Sequence, residues 1–325
     1  MHTFQPRPAH QPGGVDLLLR IFPFLIGSAL LLPLSCNQPQ ATQSSVLPAP
    51  AAVHHQLPAG EKIDGLTFVA PPEPFPGNPM PAVQAVNASW IAVVPYAFLR
   101  PGTARVQFDE HGDHWWGERP PGVRETIRLA HEAGIKVMVK PQVWIPRGWT
   151  GAMEFSSAED WAIWEESYER YILRFVALAD SLQTDMFCIG TEFNACIRQR
   201  PQYWNNLIGK IRKNFKGKLT YSANWDDWDK VPFWKELDYI GLGGYFPLVA
   251  ETTPDVSALR TAWQPIRDRL KAFSEQQGKP VLFTEFGYLS VDSCGWRNWE
   301  LERGIEGRRI NEQAQANCYE ALFSV

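Results

Sequence analysis

The chain of 325 residues is 45% hydrophobic and 20% charged, within the range of globular proteins and outside that of disordered or fibrous ones. Its net charge of −4 arises from 31 basic and 35 acidic residues, with no basic block and no glycine-rich phosphate loop, so nucleic acid is not an expected partner. Fourteen Trp are a surplus that suits either a large core or the flat C–H faces of sugar rings.

In chain order, residues 1–20 are polar, with Arg7 and Arg20 as positive charges. Residues 21–34 are apolar, a run of 14 that is too short to span a bilayer core of ~30 Å as a helix. This reads as the apolar region of an export signal. The following Leu32-Pro33-Leu34-Ser35-Cys36 resembles a bacterial lipoprotein processing site with Cys36 as the lipidated residue. Ser35 fits that pattern, and Leu34 departs from it, since a small residue is expected there. Residues 1–36 are therefore expected to direct export and lipid anchoring at the cell envelope, on its periplasmic or surface face, with plain secretion as the alternative. Residues 37–60 are rich in Pro, Ala, Gln and Ser without an apolar period, and read as a flexible tether. Residues 61–325 form the folded domain.

That domain alternates apolar runs with helical patterns. Strands are predicted at 65–69, 90–96, 136–143, 186–190, 219–223, 239–243 and 281–284, several of them almost continuously apolar, as in a parallel sheet covered on both faces. Helices are predicted at 121–133 (closed by Gly134), 157–182, 203–214, 256–277 and 310–323. Ser156-Ser157-Ala158-Glu159 resembles a capping box at the start of the longest. Repeated βα units without a dinucleotide fingerprint, and with polar and aromatic residues gathered after the strands, point to an α/β fold, a (β/α)8 TIM barrel whose site lies at the C-terminal strand ends. Seven strands are counted rather than eight, so the last βα unit is expected to be missing, leaving open edges. Cys188, Cys196, Cys294 and Cys318 match no zinc spacing; Cys188 reads as a core thiol, and a Cys294–Cys318 pair is an open option.

Two of the runs end alike, in Gly190-Thr191-Glu192-Phe193 and Phe283-Thr284-Glu285-Phe286. A carboxylate closing a buried strand is costly unless paired or used. Two of them in one cleft are the equipment for glycosidic bond cleavage, where one acid protonates the leaving oxygen and a second carboxylate roughly 5–5.5 Å away attacks the sugar carbon. Lys140, among apolar neighbours, needs a partner, either a sugar hydroxyl or an acid. Trp144 at the end of the same run is a candidate sugar floor, and Asn224 with Trp225 offers an amide and a ring after the fifth strand. Trp115 and Trp116 lie in a loop where one lines the cleft or anchors the loop. Asp226, Asp227 and Asp229 lack the glycine and distal glutamate of a calcium loop and read as a solvated turn, so no metal site is expected.

Several segments carry a family resemblance: Trp115-Trp116-Gly117-Glu118, the run from Gly134 to Trp144, Ile189-Gly190-Thr191-Glu192, the run from Leu219 to Trp225, Asp238-Tyr239-Ile240-Gly241 with Tyr245-Phe246-Pro247, and Thr284-Glu285-Phe286-Gly287-Tyr288. In order and spacing, over about residues 62–323, they resemble glycoside hydrolase family 113, of the retaining (β/α)8 clan A. The resemblance implies that Glu192, after strand four, is the acid/base and Glu285, after strand seven, the nucleophile. It also implies that Tyr245 stands against the nucleophile. Thr191 departs from the Asn that many clan members place before the acid/base. The tryptophan that the family's last strand brings to the catalytic subsite has no counterpart here. Characterised members act on β-1,4-mannans, so the expected substrate is a β-linked mannan or manno-oligosaccharide, cleaved without metal or organic cofactor. The alternatives are a non-catalytic glycan-binding lipoprotein and a clan A hydrolase for another β-glycan.

Overall fold

The computed structural model describes residues 62–108, 114–301 and 304–325. Cys36, the export segment and the tether lie outside the described residues. Seven strands, β1 (Gly65–Phe68), β2 (Trp90–Val93), β3 (Lys136–Val139), β4 (Met186–Thr191), β5 (Lys218–Ala223), β6 (Ile240–Gly243) and β7 (Val281–Glu285), form one parallel sheet in chain order. Between and after them run α1 (Met80–Ala85), α2 (Pro120–Glu132), α3 (Ala158–Ser181), α4 (Pro201–Asn214), α5 (Val256–Gln277) and α6 (Glu312–Phe323). Parallel neighbours joined by helical crossovers in strict sequence give the wall of a TIM barrel.

The wall is nearly closed. β1 and β7 are its two edges, and no pairing joins them among the described residues. A cavity of about 420 Å³ opens at this seam, bounded inside by Trp90, Met138, Met186 and Leu282 and outside by Tyr319 and Phe323 of α6. Trp90, Ala92, Met138, Met186 and Cys188 pack as a small interior cluster, whereas the larger core lies between wall and helices. β4 is buried along all six residues, but in β7 only Thr284 is fully buried.

The second and third predicted strands each break at a proline. β2 stops before Pro95 and β3 before Pro141, because proline donates no ladder hydrogen bond. Both then resume at Tyr96–Leu99 and Gln142–Trp144, and Tyr96 pairs with Gln142 at the same offset as Trp90 with Lys136. With Val106–Gln107 these extensions form a small second sheet that carries Tyr96, Gln142 and Trp144 above the barrel mouth.

Caps set the helix limits. Gly134, at φ +72°, closes α2 in the left-handed conformation, as its position predicts. The cap of α3 is one residue later than the capping-box reading: Ser157, not Ser156, accepts from the Asp160 N–H at 3.0 Å, and Asp160 takes the place assigned to Glu159. At the N-terminal face, Asp185 accepts the Val137 N–H (2.9 Å) and Asp238 accepts the Leu219 N–H (2.8 Å), pinning the starts of β3 and β5.

Candidate active site

The end of β4 is held from several sides. The β4–β5 register shifts between Cys188 and Thr191, and Glu192 then adopts φ +55°, an uncommon conformation for a residue with a side chain. Such a backbone persists only where its surroundings over-determine it. Here the Tyr168 hydroxyl donates to Ile189 O (2.9 Å), the Phe193 N–H donates to the Tyr221 hydroxyl (2.7 Å), and the Glu192 N–H donates to Ser222 O (2.8 Å). Burial pushes the Tyr221 phenol well above its ordinary value, so it remains a neutral acceptor. Trp164 stacks on Tyr168 with ring centroids 4.9 Å apart, and Phe193 packs on both and on Trp204. Gly190 is required in this packing, because a Cβ there would meet Trp204 at 2.9 Å and the Tyr168 hydroxyl at 3.0 Å. The outcome is a buried carboxylate, 3% exposed, aimed into the mouth, with one oxygen accepting the Trp149 indole N–H at 2.7 Å.

The end of β7 repeats the bulge but not the packing. Its register against β6 shifts between Phe283 and Glu285. Lys140, completely buried between β3 and its extension, places Nζ 2.5 Å from Glu285 Oε2. Gln142 Nε2 is at 3.5 Å from the same oxygen. Below, the Thr284 and Ser222 hydroxyls are 2.6 Å apart across the lumen, so Ser222 touches both strand ends, one through its carbonyl and one through its hydroxyl. Glu192 and Glu285 open into one cleft of about 140 Å³, walled by Tyr96, Trp144, Trp149 and Tyr245. Two carboxylates, an ammonium and an aromatic wall at the C-terminal end of a barrel form an arrangement able to protonate and attack a glycosidic centre.

The family model for Glycoside Hydrolase Family 113 matches residues 77–325. The chain belongs to glycoside hydrolase family 113. Among solved structures, a GH113 β-1,4-mannanase complex is 28% identical, with a TM-score of 0.61 and 73% of each chain covered. A second GH113 β-1,4-mannanase structure is 27% identical, with a TM-score of 0.60 over 73% of each chain. The GH113 β-mannanase AaManA from Alicyclobacillus acidocaldarius, in complex with ManMIm, shares the fold at 22% identity, with a TM-score of 0.67 over 80% of each chain. No curated protein matches.

Within this family framework, Glu192, Glu285, Trp144 and Tyr245 are brought to the cleft together. Four other expected substrate contacts lie outside the lining of this cleft. Lys140 does not reach the cleft surface, because its ammonium is engaged by Glu285 behind it. Asn224 is buried, with its amide donating to Asp226 at 2.8 Å. Trp116 is the loop anchor: its N–H donates to Pro72 O (2.9 Å) and its ring meets Phe75 edge-on at 5.4 Å. Trp225 stacks on Trp299 (5.4 Å, 20° between planes) outside the immediate pocket. Asp227 is no solvated turn residue; it is buried and pairs with Arg198 and Lys230. Trp149, Gln142 and Tyr96 also line this cleft, and no motif in the sequence marks them. The available signal was position: Tyr96 and Gln142 follow the two proline breaks, and Trp149 closes the turn after Trp144.

Proposed function

We propose that this glycoside hydrolase cleaves β-1,4-linked mannan or manno-oligosaccharides with retention, by double displacement. Glu285 attacks the anomeric carbon while Glu192 protonates the glycosidic oxygen, giving a glycosyl-enzyme. Glu192 then takes a proton from a water whose oxygen attacks the anomeric carbon and displaces Glu285, which releases the sugar and regenerates the Glu285 carboxylate and the Glu192 acid. Lys140 anchors one oxygen of Glu285 and orients its carboxylate, and Trp149 orients Glu192. Trp144 and Tyr245 supply ring faces and a hydroxyl to the bound sugar. The observation that carries this reading is the pair of bulged Thr-Glu strand ends opening into one cleft. The choice of mannan is supported by what the two 27–28% identical relatives are named for.

The test is product release by the protein beginning at Asn37, offered mannan, xylan and cellulose side by side. Manno-oligosaccharides are expected, and Glu285→Ala should lower turnover at least ~10³-fold. Products from xylan or cellulose alone would retain the mechanism and replace the substrate. A folded protein that binds mannan and never cuts it would favour the binding-only reading, for which the open seam beside β7 speaks. The same proposal places the enzyme at the cell envelope, tethered by residues 37–60 to a lipid on Cys36, supported by the pattern of residues 21–36. Fatty-acid labelling that survives Cys36→Ser would sink that part.

A further inference from the structure

Two cysteines that take no part in the cleft chemistry touch each other across two elements. Cys294 lies in the segment after β7, and Cys318 lies on α6. Both are completely buried, and their Sγ atoms are 3.8 Å apart. The backbone around each is fixed by other bonds. The Leu248 N–H donates to Gly295 O (2.8 Å) and the Ser293 N–H to Thr252 O (2.9 Å). Asn311 caps α6 by accepting the Ala314 N–H (3.0 Å), and its own amide reaches Thr253 and Asp292 (2.7 Å each). The fold therefore sets the approach of the two sulfurs independently of any bond between them. Gly295 permits it, since a Cβ there would stand 3.3 Å from Cys318 Sγ. A bonded pair needs its sulfurs ~2.05 Å apart, so the remaining approach lies within the reach of side-chain rotation.

We propose that Cys294 and Cys318 form a disulfide that fastens α6 to the segment after β7, beside the open seam of the barrel. The oxidant is an external disulfide, either a low-molecular-weight one or that of a thiol oxidoreductase, which reaches the two enclosed thiols when α6 opens locally from the segment after β7. The Cys294 thiolate attacks it and displaces one thiol, giving a mixed disulfide. The Cys318 thiolate then attacks Cys294 Sγ and displaces the second thiol. Two protons leave the cysteines, and two electrons pass to the external disulfide, which becomes two thiols. Cys294 is the first attacker, because a hydrogen bond from Cys318 holds its thiol below the ordinary value while Cys318 is raised. The other two cysteines of the domain are poor competitors. Burial pushes Cys188 up to about 11 and Cys196 up to about 12, and Cys188 donates to Gly190 O.

The link would also steady the cleft's flank. The same segment carries Trp299, stacked on Trp225, and Asn298, whose amide donates to Gly287 O at 2.7 Å. The experiment is to incubate the full chain with oxidised glutathione, denature and alkylate it without reductant, and digest with trypsin. Cleavage at Arg297 and Arg309 separates the two cysteines. The expected result is a cross-linked peptide joining residues 272–297 to 310–325, with two fewer alkylated thiols than in the reduced protein. Alkylation of both cysteines in the unreduced protein, or a cross-link to Cys188 or Cys196, would overturn the proposal. Thermal unfolding provides a second readout: reduction should lower the wild-type Tm by several degrees and leave Cys294→Ala/Cys318→Ala unmoved. A wild-type Tm unchanged by a treatment that removes the cross-link would overturn its bracing role.

Discussion

Glu192 and Glu285 close strands of one sheet with the same Thr-Glu-Phe run, yet they are held by opposite means. Glu192 sits at the end of a fully buried strand, in a strained backbone clamped by Tyr168, Tyr221 and Ser222 over a block of stacked rings. Glu285 sits on the edge strand of the open seam, where most residues are only half-buried, and its main anchor is one ammonium arriving from β3. One carboxylate is positioned by packing, which belongs to the stability of the whole domain. The other is positioned by charge, which is local. Damage to the two regions should therefore register in different measurements.

The largest expected effect on catalysis short of removing a glutamate is Lys140→Met. Without the ammonium, Glu285 loses its fixed orientation, and turnover should fall by ~10²-fold or more. Stability should drop by only about 1–2 kcal/mol, less than the 3–5 kcal/mol of a sealed ion pair, because Glu285 keeps contact with solvent. Trp164→Ala should invert the pattern. Removing a completely buried indole from the ring cluster should cost about 3–5 kcal/mol. Activity per folded molecule should change less than about tenfold, since the hydrogen bonds that clamp Glu192 come from Tyr168, Tyr221 and Ser222. Urea unfolding read beside initial rates on the same preparations separates the two. Equal losses of activity and stability in both variants would erase the distinction between the strand ends.

The same contrast explains what was legible in the sequence. All seven wall strands were: the inner ones because a strand buried on both faces writes itself as an apolar run, and the less buried edge strands β1 and β7 because they are short apolar runs as well. Glu192 and Glu285 were, because a charge at the end of such a run stands out. The partner of Lys140 lies 145 residues away, and nothing local chooses between a sugar and an acid for that ammonium. The local partners of Asn224 and Trp116 were hidden for the reverse reason: each is satisfied nearby, one by Asp226 and one by the Pro72–Phe75 stretch, and short-range bonds of that kind carry no periodic signal. Trp149 lies in a turn between elements, where position in space follows from neither period.

The smallest expected effect concerns the closed side of the wall, which aspartates pin and the seam does not share. Burial raises the cost of charging Asp238, but the Leu219 N–H and the Arg212 guanidinium outweigh it and hold the carboxyl below its ordinary value of 3.8. A carboxyl depressed in the folded state contributes stability above its unfolded value and loses it as pH falls through the folded value. The Asp238 contribution should therefore be complete at neutral pH and fade only below about pH 4, being absent once the folded carboxyl is protonated. Because the side chain is partly solvated, Asp238→Asn should cost under about 1 kcal/mol at neutral pH and flatten the acid limb of the stability curve. Urea midpoints measured at several pH values from 7 down to 3 in both proteins would reveal it. An acid limb equally steep in Asp238→Asn would mean that β5 and β6 are held at their start by packing and neutral hydrogen bonds, as the end of β4 is, and not by charge.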